Sequence, residues 1–128
     1  MYRIGKKFTF DASHQLNGLR PNHKCGRLHG HTYTIEVTFI GGTLAVQGWL
    51  FDFGDLDGLG NWVKNEFDHR HLNDKVNQPT SECLARVLYH RILEFMETQH
   101  IVLPEDVLLE KVRVSETPST FAEYFGAD

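Results

Sequence analysis

The chain is short of sulfur and has no surplus of positive charge. Its 128 residues hold two cysteines, Cys25 and Cys83, too few for a disulfide-stapled scaffold. Lys and Arg number 13 against 17 Asp and Glu, a formal charge of −4 with the histidines neutral, which excludes a strongly basic nucleic-acid binder. No run approaches the roughly 18 apolar residues a membrane-spanning helix needs, and Met1-Tyr-Arg-Ile-Gly-Lys-Lys-Phe8 has no apolar stretch resembling a signal segment. The expectation is a cytosolic, unanchored protein with no membrane contact and with free thiols. Internal repeats, low-complexity tracts and Ser/Pro linkers are also missing, so residues 1–128 read as one domain. With 41% hydrophobic and 23% charged residues, neither disorder nor a fibre fits. Histidine is the residue in surplus. There are eight, and imidazole titrates near neutrality and is the commonest metal ligand.

Periodicity divides the chain into six elements. Residues 2–13 contain the alternating stretch Phe8-Thr-Phe10-Asp-Ala12 and read as a strand, followed by a loop over 17–27 holding Gly18, Pro21, Asn22 and Gly26. Residues 31–39 alternate cleanly, with His31, Tyr33, Ile35, Val37 and Phe39 on one face and Thr32, Thr34, Glu36 and Thr38 on the other. Gly41-Gly42 marks a turn, and residues 49–53 read as a short extended segment. Helical spacing of Leu56, Leu59, Trp62, Val63 and Phe67 predicts a helix over 55–67. Pro79-Thr-Ser-Glu82 then starts a second helix, whose stripe Leu84, Val87, Leu88, Ile92 and Phe95 runs toward Thr98. Residues 107–116 and 120–124 read as strands. The order β-β-α-α-β-β is an α+β domain with an antiparallel four-stranded sheet and two helices on one face. Such a sheet leaves two edges unpaired, so subunits are expected to join edge to edge into a closed assembly.

Chemistry concentrates in His23-Lys-Cys25-Gly-Arg27-Leu-His29-Gly-His31. On extended backbone, residues two apart point to one face, so His29 and His31 form a two-ligand clip, and His14 at the end of the first strand can supply a third ligand. Three histidines leave tetrahedral zinc an open position, as in catalytic sites. Cys25 as a fourth ligand would instead close the site into a structural one, and spacing leaves both open. Asp68-His69 reads either as an oriented proton relay around a third group, for which a cysteine is suited, or as a solvated loop with an Asx turn. Glu116, beside Thr117 and Pro118 at the end of its strand, can accept two hydrogen bonds from the amide-plus-amine edge of a heterocycle, and parity places Glu110 on the same face. Cys83 reads as a small buried hydrophobe, His90 as exposed or interfacial, His100 as a favourable cation near a helix C-terminus, and Trp49 and Trp62 as core or interface residues.

At this point the chain resembles the 6-pyruvoyl-tetrahydropterin synthase family, and within it the bacterial 6-carboxy-tetrahydropterin synthases of the queuosine pathway. Phe8-Thr-Phe10-Asp-Ala-Ser-His14, His23-Lys-Cys-Gly-Arg-Leu-His-Gly-His31, Trp49 with Phe51-Asp-Phe53, Phe67-Asp-His69 with Leu72-Asn-Asp74, Asn77 with Pro79-Thr-Ser-Glu82, and Val114-Ser-Glu-Thr117 carry the likeness over nearly the whole chain. Phe67 stands where Leu often precedes Asp-His, and the segment from Pro118 to Tyr124 resembles one subgroup only. The resemblance implies the tunnelling fold, in which subunits join their sheets into a barrel and two trimeric rings stack as a homohexamer. It further implies Zn2+ on His14, His29 and His31, Cys25 as proton acceptor, Asp68 and His69 as its relay, and Glu116 as anchor of a pterin ring. The implied reaction converts 7,8-dihydroneopterin triphosphate to 6-carboxy-5,6,7,8-tetrahydropterin, releasing acetaldehyde and triphosphate. Lys24 and Arg27 are candidates for phosphate contacts, and Thr117 for a substrate contact beside Glu116. The presence of Cys25 argues against the folate-pathway branch, which carries a glutamate near that point. Two alternatives remain: 6-pyruvoyl-tetrahydropterin synthesis without carbon-carbon cleavage, and a non-catalytic zinc-stabilised oligomer with Cys25 as fourth ligand.

Overall fold

The computed structural model describes all 128 residues. Strands β1 (Tyr2–His14) and β2 (His29–Gly41) pair antiparallel without interruption, from Tyr2 opposite Gly41 to His14 opposite His29. Because successive side chains alternate, this register sets Phe8, Phe10, Ala12 and His14 beside Ile35, Tyr33, His31 and His29 on one face. After β2 a 3-10 turn at Phe53–Leu56 leads into α1 (Asp57–Phe67), and α2 spans Ser81–Thr98. Thr80 caps α2 as expected, its hydroxyl accepting from the Cys83 N–H at 3.1 Å. His100 closes the helix through its backbone: at φ 55° its N–H reaches the Glu97 carbonyl, and the Ile101 N–H reaches that of Met96. Strands β4 (Leu108–Thr117) and β5 (Thr120–Tyr124) follow, β4 pairing with β2 and β5 with β4. Both helices lie on the face that carries Phe10, Tyr33, Ile35, Val37, Val112 and Val114, and they bury it with Leu59, Val63, Phe67, Leu84, Leu88 and Ile92. No helix is long and apolar enough to cross a membrane.

Four details depart from the sequence reading. The sheet has five strands, because Arg70–His71 forms a two-residue strand, β3, parallel to β1 at Ala12–Ser13, giving the order β3-β1-β2-β4-β5. Two residues are too few to produce a periodic signal. Residues 49–53 are not extended but bend into the 3-10 turn before α1, with Trp49 and Phe53 about half exposed. Glu110 and Glu116 do not share a face. Thr38 lies opposite Lys111 while Phe39 lies opposite Leu109, so Glu110 is the extra residue of a bulge and pairs with Arg3 at 2.7 Å on the helix-free side. Cys83 is half-buried against the core rather than fully enclosed. His90 is exposed and bonded to the Tyr124 hydroxyl, as its position on α2 allows.

Candidate metal centre

His14 ends β1, and His29 and His31 begin β2, so the antiparallel register alone sets three imidazoles at one end of the sheet. Their ligand atoms all lie within 4.8 Å of one another. Two backbone carbonyls aim the rings. The Nδ1–H of His14 donates to the Pro79 carbonyl at 2.8 Å, and that of His29 to the Arg27 carbonyl at 2.6 Å. Both rings therefore carry their proton on Nδ1 and turn bare Nε2 atoms inward, 3.0 Å apart. Two lone pairs at that distance repel unless a cation or a proton lies between them. The third, His31 Nε2, is buried and has no hydrogen-bond partner. A tetrahedral zinc with Zn–N bonds near 2.05 Å would set its nitrogens about 3.3 Å apart, so the donor set fits such an ion.

Burial holds the His31 imidazole below its ordinary pKa, with His14 and His29 adding to the effect and the Glu116 carboxylate opposing it. The ring is thus kept neutral, the form that binds metal. Glu116 lies 3.9 Å from the Nε2 atoms of both His14 and His31, so this strand-end carboxylate does face the cluster. Beneath it Tyr33 is fully buried. Its hydroxyl is pushed far above the usual phenol range, first by burial and then by Glu116, so it stays protonated, and its oxygen shares the His14 Nδ1 proton at 3.1 Å.

Asp68 and His69 form a pair of their own. After α1 the chain turns back on β1 with His69 in the left-handed region at φ 58°, a conformation that costs a non-glycine residue about 1–2 kcal/mol. The turn lets the His69 N–H reach the Asp11 carbonyl at 2.7 Å while Asp68 accepts the Asp11 N–H and the His69 Nδ1–H, both at 2.9 Å. The Asp11 N–H first, and His69 second, hold the Asp68 carboxyl below its usual range. Since a carboxylate only accepts, His69 keeps its proton on Nδ1 and presents a basic Nε2 to solvent.

Cys25 sits half-buried on the 3-10 turn Lys24–Gly26, outside the converging histidines, its N–H on His23 Nδ1 and its carbonyl on the Leu16 N–H. Within one chain it does not line the cleft that His69 lines. Lys24 and Arg27 flank it, both exposed, and Arg27 faces a separate hollow together with Arg20 and His23. Two open clefts meet at His31. One, about 520 Å³, has no hydrophobic residue in its lining and includes Glu116, Thr117, Lys7 and Arg113. The other, about 680 Å³, runs along β1 and β3 past Asp11, Ser13, His69 and His71; His31 and Thr32 line both. The sequence offered no sign of the Pro79 and Arg27 carbonyls as ring anchors, since backbone atoms leave no trace in residue types. Tyr33 could have been found, because it shares strand parity with His31.

A family model described as "6-pyruvoyl tetrahydropterin synthase" matches residues 3–127. A Synechocystis sp. protein named 6-carboxy-5,6,7,8-tetrahydropterin synthase is 36% identical over 134 residues, covering 98% of this chain and 94% of its own. A Haemophilus influenzae protein of the same name is 29% identical over 150 residues, covering 97% and 99%. Among solved structures, the 6-pyruvoyl tetrahydropterin synthase of Caenorhabditis elegans superposes with a TM-score of 0.79 at 25% identity, covering 98% of this chain and 96% of that one.

Proposed function

The chain belongs to the 6-pyruvoyl tetrahydropterin synthase family, and from that premise we propose that it is the enzyme 6-carboxy-5,6,7,8-tetrahydropterin synthase. In this reading it converts 7,8-dihydroneopterin triphosphate to 6-carboxy-5,6,7,8-tetrahydropterin, acetaldehyde and triphosphate, in the cytoplasm, on the route to queuosine or a related deazapurine. The observation that carries the reading is the convergence of His14, His29 and His31 beside Glu116, in a chain similar to proteins of that name.

Zn2+ held by the three histidines would supply Lewis acidity to the side-chain oxygens of the substrate. Glu116 accepts the paired donors of the pterin edge, with Thr117 beside it, and so fixes the ring relative to the histidines. Asp68 locks the His69 tautomer so that Nε2 accepts a proton, and Cys25 exchanges protons with it. The protons and electrons removed from the side chain reduce the ring, so no external hydride donor is required. Lys24 and Arg27 are assigned to the phosphates. Because Cys25 and His69 line different parts of one chain, the reading includes edge-to-edge assembly as a homohexamer in which neighbouring subunits complete the site.

Incubation with 7,8-dihydroneopterin triphosphate tests the proposal: acetaldehyde and 6-carboxy-tetrahydropterin are the expected products. A product retaining all three side-chain carbons would move the chain to 6-pyruvoyl-tetrahydropterin synthesis, the activity in the name of its C. elegans structural neighbour.

A further inference from the structure

The cleft along β1 and β3 holds a second oriented imidazole that the chemistry above leaves unused. His71 on β3 lies opposite Ser13 on β1, and the Ser13 Oγ sits 3.0 Å from His71 Nδ1, both side chains half-buried. That imidazole is the one hydrogen-bond partner of the Ser13 hydroxyl. When the hydroxyl donates to Nδ1, the ring proton is left on Nε2. His69, lining the same cleft, is set the other way, with Nδ1–H on Asp68 and a bare Nε2. With that tautomer His71 offers an N–H where His69 offers a lone pair, and both imidazoles line a cleft that His31 also lines.

We propose that His71, oriented by Ser13, is a hydrogen-bond donor to a side-chain oxygen of the substrate, complementing His69 during proton abstraction. The inference rests on the reading of a pterin substrate whose oxygenated side chain lies at the histidines. When His69 Nε2 takes the proton from a carbon next to a carbonyl, the C–H electron pair moves into a new C=C bond and the carbonyl pair moves onto oxygen. Charge grows on that oxygen, and a neutral N–H aimed at it lowers the barrier without itself giving up its proton. No oxidant or reductant enters, and reversal with a solvent proton regenerates the starting carbonyl. Asp11 is the one carboxylate lining this cleft, and its Oδ1 accepts from the Thr32 hydroxyl at 2.6 Å.

The test is deuterium exchange at the side-chain carbon next to the carbonyl, followed by NMR in D2O. The probe is an unphosphorylated 7,8-dihydropterin bearing a 1-oxo-2-hydroxypropyl group at C6. His71→Leu is expected to slow exchange about 100-fold with KM changed less than about threefold, as for loss of one donor to a developing oxyanion. His71→Gln, which keeps an N–H near the Nε2 position, should recover to within about tenfold of wild type, and Ser13→Ala should lower kcat about tenfold at unchanged KM and metal content. Exchange by His71→Leu within about threefold of wild type overturns the proposal, as does a glutamine variant no faster than the leucine one or a wild-type protein that exchanges nothing. If the leucine variant fails to fold, the glutamine and Ser13→Ala variants decide, and an unaltered kcat in Ser13→Ala overturns the proposal. Exchange needs neither triphosphate loss nor carbon-carbon cleavage. Intact exchange without acetaldehyde from the natural substrate would therefore sink the proposed overall reaction and leave the role of His71 standing.

Discussion

Replacing Asp68 with Asn isolates what the carboxylate does for His69. The side chain keeps its size, and the Asn carbonyl can still accept the Asp11 N–H that Asp68 Oδ1 accepts at 2.9 Å. Its amide nitrogen, however, then faces His69 Nδ1 at the position of Oδ2, donor against donor. The imidazole responds by moving its proton to Nε2 and loses the base. General-base catalysis is worth roughly 10²–10⁴ in rate, so kcat for acetaldehyde release should fall at least about 100-fold while the metal content stays at the wild-type level. The electrostatics give a second signature. The folded state holds the Asp68 carboxyl below its ordinary range, so its contribution to stability is present above the unfolded pKa near ~3.9 and is lost as the pH falls through the lower folded value. Acid unfolding of the Asn variant should lack that component. An Asn variant that keeps more than about a third of wild-type kcat would refute the assignment of His69 as a base oriented by Asp68.

Other outcomes follow from the same geometry. Alanine at His14, His29 or His31 should cost more zinc affinity than the roughly 10–100-fold typical of losing a group that merely orients a ligand, whereas Cys25→Ala should keep the metal and lose turnover. Metal analysis beside the acetaldehyde assay distinguishes these outcomes, and a Cys25→Ala protein without zinc would favour the closed structural site. Because the folded state keeps His31 below its ordinary pKa, the unfolded chain binds more protons near pH 6. Stability and zinc loading should then both decline as the pH drops below about 6.5, and chelator competition across pH checks this. Leu88 on α2 is completely buried, so Leu88→Ala should cost about 2–5 kcal/mol in urea unfolding, and a cost under about 1 kcal/mol would contradict its central place in the core.

The four longer strands, the two helices and the meeting of three histidines were legible because each rests on a local rule. Alternation in residues 31–39 marked the strand, the Thr80 cap marked the start of α2, and spacing by two put His29 and His31 on one face. The parity argument for Glu110 failed because one bulge between β2 and β4 resets alternation, and a bulge is a property of the pairing of two strands rather than of either alone. Strand β3 escaped notice for a related reason: its two residues are extended only because His69 turns the chain back onto β1.

By itself, then, the order of residues determined which side chains could do chemistry: three imidazoles, a thiol, an Asp-His pair and a strand-end carboxylate. Their protonation and aim were decided by the tertiary structure. The carbonyls of Pro79 and Arg27 choose the tautomers of His14 and His29, Asp68 chooses that of His69, and Ser13 pairs with His71 across a ladder that no sequence period announces. The physical reason is that a hydrogen bond selects one nitrogen of an imidazole over the other only at contact distance. These contacts join residues as far apart as positions 14 and 79, which meet only when the sheet has formed and α2 has docked onto it.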